Sequence, residues 1–234
     1  KDPHGLVDTY RALGLRSIFL RPVSPYGFAR KTARVHGYST AEFLAFYAHA
    51  LDYILKLSAA GEAIEEVYAA ILLRHIWSPF HSGYVDLRSP AGAGLGAMVY
   101  NYDGLAYPSD EARMAAETGD KRFALGRVDQ PLDELLASPA MSWLAAGAVA
   151  EAIPTCNRCA FLPYCGADPV HHAVVHGDPV GARAASDFCE RQPGLFRILF
   201  EHIDKGDPET LRTFTAWAFR KDRREVRTSG FVER

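Results

Sequence analysis

All four cysteines of the chain fall between Pro154 and Cys189, in the run PTCNRCAFLPYCGADPVHHAVVHGDPVGARAASDFC. Cys156 and Cys159 have two residues between them, Cys165 follows after five more, and Cys189 after another twenty-three. Thiols gathered this tightly in a chain of 234 residues are not scattered core residues. Three chemistries compete for them. A disulfide pair belongs to small, cysteine-dense secreted scaffolds, and nothing else here has that character. Structural zinc favours C-x2-C, but its usual partner is a second C-x2-C or an H-x3-5-H pair. An iron–sulfur cluster takes four thiolates and tolerates uneven spacing with a remote fourth ligand. Pro154 and Pro163 stiffen the backbone around the first three cysteines, and Gly166 lets the chain turn close beside Cys165. Phe161, Leu162 and Tyr164 supply an apolar shell that would limit water.

Composition narrows the class. Hydrophobic residues make up 48% and charged residues 23%, as in ordinary globular proteins. A net charge of −2 argues against a dedicated nucleic-acid binder. No apolar run is long enough to span a membrane, and the first residues lack the regions of a signal peptide. Thiols without a secretion signal point to the cytoplasm. The first residue is Lys1 and not Met, which suggests a piece of a longer protein.

Read in order, Asp8–Leu13 ends a helix that Gly14 stops, and Arg16–Pro22 is a short apolar strand. A loop over Val23–Gly37 follows. Ser39 or Thr40 caps a long helix with Glu42 in its first turn, and its apolar residues recur at helical spacing from Phe43 to Leu55. Gly61 ends it, and Ala63–Ile76 forms the next helix. Arg21 stands at the carboxyl end of the strand, where parallel barrels bind ligands, although a surface arginine with a satisfied hydrogen bond is the stronger reading. Tyr84–Leu87 reads as a short strand before the glycine-rich SPAGAGLG. That segment lacks the Lys-Ser/Thr of a P-loop and serves as a connector. Ala97–Tyr102 and Leu105–Ser109 form a hairpin about the Asp103-Gly104 turn, where Tyr100, Tyr102 and Tyr107 alternate as in cross-strand packing. Asp110–Met114, Pro131–Ala137, Ala140–Val149, Pro193–His202 and Pro208–Arg220 read as helices, and the charged end reads as a frayed tail.

The hairpin ending Gly104-Leu-Ala-Tyr-Pro-Ser109, followed by Cys156, Cys159, Cys165 and Cys189, resembles the SPASM domain of radical SAM maturases. That family's pattern is C-x9-15-G-x4-C, then C-x2-C-x5-C-x3-C and a final cysteine, holding two auxiliary clusters. Here the G-x4-C position is Ser109, the position three past Cys165 is Pro169, and the upstream position falls near Ser89. The resemblance implies that the lost positions serve the first auxiliary cluster and that Cys156, Cys159, Cys165 and Cys189 serve the second, as one [4Fe–4S] cluster. FLRPVSPYGFA, YVDLRSPAGAG, VYNYDG, SDEARM, CAFLPYCGADPVHH and SDFC together resemble the His-Xaa-Ser system radical SAM maturase, the B component of a paired maturase, over about Leu15 to Phe200.

The family's C-x3-C-x2-C is absent. S-adenosylmethionine and the cluster that cleaves it are therefore expected only in a full-length parent, and this chain is not expected to generate the radical alone. The implied architecture is α/β: residues 1–80 as the last strand–helix units of a partial TIM-like barrel, 81–205 as a SPASM-like auxiliary cluster domain, and 206–234 as a helix and charged tail. The implied partners are a ribosomally made substrate peptide with His-Xaa-Ser repeats and a companion maturase. Asp110, next to the lost ligand position at Ser109, is where relatives place an acid that takes a proton from substrate, though it also suits a helix N-cap. His171, His172 and His176 read as buried donors bracing the cluster, with Asp187 and Arg158 as further neighbours. The rival readings are a zinc- or cluster-stabilised peptide-binding module and an adaptor that has lost catalysis.

Overall fold

The structure is a computed structural model that describes residues 2–27, 29, 32, 35, 37–80 and 82–221. Part of the predicted 23–37 loop and most of the charged end lie outside the described residues. The elements in chain order are α1 (Pro3–Ala12), β1 (Ser17–Ile18), α2 (Thr40–Ala59), β2 (Glu65–Glu66) and α3 (Val67–Trp77). They continue with β3 (Val99–Tyr100), β4 (Leu105–Tyr107), α4 (Asp110–Ala116), β5 (Gly126–Arg127), α5 (Leu132–Leu136) and α6 (Pro139–Ala145). The last three are α7 (Pro169–His176), α8 (Asp187–Lys205) and α9 (Pro208–Phe219). The chain divides into two compact units, one of residues 1–22, 38–82 and 191 onward, the other of 23–37 and 83–190. The fold is α/β and rich in helix, with small sheets, as the sequence implies.

In the first unit β1 and β2 pair in parallel, Ser17 opposite Glu65 and Ile18 opposite Glu66. A parallel pair needs a crossover, and α2 supplies it. The Ser39 side chain accepts from Glu42 N at 3.1 Å while the Glu42 carboxylate accepts from Ser39 N at 2.7 Å, a reciprocal cap that starts the helix cleanly. Phe43, Tyr47, Leu51 and Ile54 line its buried face. Only Ser17 and Ile18 of the predicted 16–22 strand pair, and their partner lies in residues predicted as helix. The reason is Glu66. Its fully buried carboxylate accepts from the backbone of Tyr68 and Ala69, so α3 begins only at Val67. The same carboxylate accepts from Leu20 N and from the Tyr47 hydroxyl, which ties strand to helix. α3 then buries six consecutive residues from Tyr68 to Leu73, as a helix covered all round does.

In the second unit β3, β4 and β5 form an antiparallel sheet with Val99 opposite Tyr107 and Leu105 opposite Arg127. The hairpin loop has three residues, not two. Asn101 N donates to Leu105 O, Gly104 N donates to Asn101 O, and Gly104 takes a φ of 77° that glycine adopts without strain. β5 falls between the helices predicted at Asp110–Met114 and Pro131–Ala137, where the sequence suggests no strand. Beneath the sheet Tyr107, Phe123, Leu144 and Val170 pack with Tyr26 and the alanines of α4. Tyr84–Leu87 is not a strand: it runs in turns, with Gly92 N donating to Val85 O at 2.8 Å and Ala167 N to Arg88 O at 3.0 Å. Pro193 does not open its helix. α8 starts at Asp187 and carries Pro193 in its interior, because Ser186 caps the earlier start.

Candidate metal centre

The four cysteines belong to one compact unit. Cys156 opens a 3-10 turn, Cys156–Arg158, and its carbonyl accepts from Cys159 N at 2.9 Å. Another tight turn follows, in which Cys165 N donates to Phe161 O at 2.9 Å. Cys156 and Leu162 pack against a small cluster of Ala91, Ala150 and Ala167, while Phe161 and Tyr164 are half-buried. Gly166 is needed for closeness: a Cβ there would fall 2.5 Å from Asp86 O and equally close to the Leu87 carbonyl carbon. Only glycine lets these two stretches of backbone touch beside Cys165.

Cys189 arrives differently. It sits in the first turn of α8, where Ser186 Oγ accepts from its amide at 3.1 Å. The start of a helix favours negative charge and so favours a thiolate. All four cysteines are free thiols of intermediate exposure. Burial pushes the Cys165 thiol up to about 12, and the neighbouring Cys189, Cys156 and Cys159 push it the same way. Burial also raises Cys156, while Arg183 and a hydrogen bond with Thr155 pull it down. Among the described residues, no three His, Cys, Asp or Glu side chains stand as ligands about a single ion. The donor set is soft and all sulfur, which suits an iron–sulfur cluster or zinc.

The histidines are otherwise engaged. His172 is fully buried; its Nδ1 lies 2.7 Å from Asp168 O and its Nε2 3.1 Å from Ser186 Oγ. Burial holds its pKa down to about 3, so the ring is neutral at ordinary pH. His171 pairs with Asp187 at 2.9 Å, and His176 is exposed, as is Arg158. The contacts of His171 and His172 are thus to oxygen, and the expected bracing of the sulfurs by imidazole is replaced by bracing of the segments around them.

The positions that resemble lost ligands are filled by packing. Ser109 is 1% exposed and its Oγ accepts from Ala112 N, making it the N-cap of α4. Pro169 is buried at the start of α7, where Asp168 provides the cap. The N-cap weighed for Asp110 thus belongs to Ser109. Asp110 follows it on the surface of the cysteine unit with its side chain 64% exposed, paired with Arg113 at 2.9 Å. Arg21 belongs to the other unit, is exposed, and lies 5.2 Å over the Phe19 ring. Sequence reasoning passed over Arg183, buried at 3% exposure beside the thiols. Its signal was an arginine set among Ala182, Ala184 and Ala185, a poor setting for a surface charge.

No helix among the described residues is long and apolar enough to cross a membrane. No protein-family model matches the chain, and no curated protein does either. Solved structures do. Native anSMEcpe with bound AdoMet and Kp18Cys peptide superposes with a TM-score of 0.56 at 14% identity, covering 87% of this chain and 53% of that one. Native anSMEcpe with bound AdoMet gives 0.56 at 14% identity, with coverages of 87% and 52%. A histidine-tagged form of anSMEcpe with bound AdoMet gives 0.51 at 12% identity, with coverages of 92% and 61%. The shared property at these identities is the fold, and the chain spans between about half and three fifths of the length of these proteins.

Proposed function

We propose that this chain is part of a radical SAM maturase acting on a ribosomally made peptide, and that Cys156, Cys159, Cys165 and Cys189 hold one auxiliary [4Fe–4S] cluster in a SPASM-like domain. The observation that carries the reading is the gathering of every cysteine of the chain, all as free thiols, into one compact unit. The fold shared with anSMEcpe, solved with AdoMet and with a peptide, supports the same reading.

When bound, such a cluster supplies one-electron transfer or a rigid brace. The chain's own residues prepare for it. Turns at 156–159 and 161–165 carry three sulfurs on one short segment, and Ser186 fixes the first turn of α8, which carries the fourth at Cys189. The alanine cluster of Ala91, Ala150 and Ala167 packs against Cys156 and Leu162. S-adenosylmethionine and its own cluster are assigned to the full-length parent, with Arg21 as a contact at the strand end and Asp110 as the acid that takes a proton from substrate. The substrate proposed is a peptide with His-Xaa-Ser repeats, handled in the cytoplasm with a companion maturase.

The test is anaerobic reconstitution with iron and sulfide, followed by metal analysis and absorption spectroscopy. A brown protein with a broad shoulder and near-equal iron and sulfide supports the proposal. A colourless zinc protein that unfolds with chelator would make the chain a metal-stabilised binding module instead.

A further inference from the structure

Arg183 is a cation buried where ordinary packing would not place one. It lies in the 3-10 turn Arg183–Ala185, and its guanidinium is held by backbone carbonyls. Nε donates to Val180 O at 2.8 Å, and Nη2 donates to Gly147 O at 2.7 Å and to Pro179 O at 2.6 Å. These bonds satisfy donors and orient the fork, but carbonyls are neutral and leave the positive charge intact. No carboxylate forms an ion pair with it among the described residues, and the nearby Asp168 carboxylate caps α7 through His171 N. The seat is built tightly. A Cβ at Gly147 would fall 2.0 Å from Pro179 O and 3.1 Å from Arg183 Nη2, so that backbone can close over the guanidinium only as glycine.

A buried charge with no ion-pair partner in hydrogen-bond contact is costly. Burial accordingly weakens the hold of Arg183 on its proton, and the groups acting against that are Cys156, Asp168, Cys165 and Cys189. Hydrogen bonds also link Arg183 to the last of these. The Ser186 hydroxyl donates to Arg183 O at 2.8 Å, and the hydroxyl oxygen in turn accepts from Cys189 N at 3.1 Å. The guanidinium is therefore locked by carbonyls in the turn that leads into the thiol-bearing start of α8.

We infer that Arg183 is a positioning residue that serves as the fixed counter-charge of the four-cysteine site and raises the reduction potential of the cluster held there. The inference rests on the iron–sulfur reading of that site. Four thiolates outweigh the positive charge of the iron core, and reduction adds one further negative charge. A cation fixed in a poorly solvated pocket stabilises the reduced form more than the oxidised one.

The experiment compares wild type, Arg183→Lys and Arg183→Gln after anaerobic reconstitution, with iron and sulfide counted and the potential read by redox titration monitored by electron paramagnetic resonance. Arg183→Gln is expected to make reduction at least tenfold less favourable, which is about 59 mV toward negative potential for one electron. Arg183→Lys, which keeps the charge and loses the fork, should stay closer to wild type. If Arg183→Gln holds no cluster while Arg183→Lys does, the charge is needed for assembly and the inference stands. An unshifted potential in a loaded Arg183→Gln overturns it, and so does loss of the cluster from both variants, since the fork and not the charge would then be the requirement. Wild type free of iron would instead sink the reading of the site itself, before any variant is compared.

Discussion

The two units bury charge-bearing groups in opposite ways. In the first, Glu66 is fully buried and its two oxygens accept from Leu20 N, Tyr68 N, Ala69 N and the Tyr47 hydroxyl. Burial raises its pKa while these bonds pull it back, and the protein satisfies the group from its own donors. In the second, the Cys165 thiol makes a long contact to Gly166 O at 3.6 Å, and burial together with three other thiols pushes it up to about 12. One acid is finished by donors of the fold; the Cys165 thiol is not. A completed network is the mark of architecture, and buried ionisable groups with unmet demand are the mark of a site.

The sharpest way to break this contrast is to remove one member of each set. Cys165→Ser should abolish essentially all bound iron while leaving the first unit folded, as measured by metal analysis and hydrogen exchange. Retention of iron would show that the thiols are as self-sufficient as Glu66. Glu66→Ala should do the reverse. Stranding four buried donors should cost about 3 kcal/mol or more in chemical denaturation, with iron content unaffected in whatever fraction remains folded.

Acid should weaken the cysteine unit through His172. Its pKa is about 3 in the folded chain against an ordinary value of 6.5, so the unfolded chain takes up a proton first as pH falls. Stability from this group is present above the unfolded value and is lost as pH drops from 6.5 toward 3. Glu66, raised by burial, shifts the other way and favours the folded state in acid. Thermal melts of wild type should fall through that window, whereas His172→Gln should start lower and change less with pH. Equal slopes would rule out His172 as the group responsible. The smallest effect is expected at Asp110. Its pair with Arg113 is exposed, so Asp110→Asn should change stability by less than about 0.5 kcal/mol in the same melts. A loss of peptide modification by the full-length protein carrying that change would then report on chemistry and not on folding.

Features governed by neighbours in sequence were legible. The Ser39–Glu42 cap, the stops at Gly14 and Gly61, and the turn at Gly104 each depend on residues within one or two turns. β2 was not, because Glu65 and Glu66 look like a helix start until Ser17 and Ile18 are laid beside them from far along the chain. β5 was missed for the same reason: Gly126 and Arg127 carry no strand pattern and pair only because β4 is there. Pro193 suggested a helix start, but Ser186 had already begun one. Within the site, the cysteines announced themselves by spacing. Ser109 as a cap, the engaged histidines and the buried Arg183 depend on which backbone groups are left to satisfy, and spacing carries no such information.

What the whole reading requires is a cysteine unit that is incomplete without an inorganic partner held by its thiols. The most direct measurement is the iron and acid-labile sulfide content of the anaerobically reconstituted wild-type protein. The expected result is about four of each per chain, with a chromophore lost on Cys165→Ser. Zinc in their place, or iron that persists after that substitution, would contradict it.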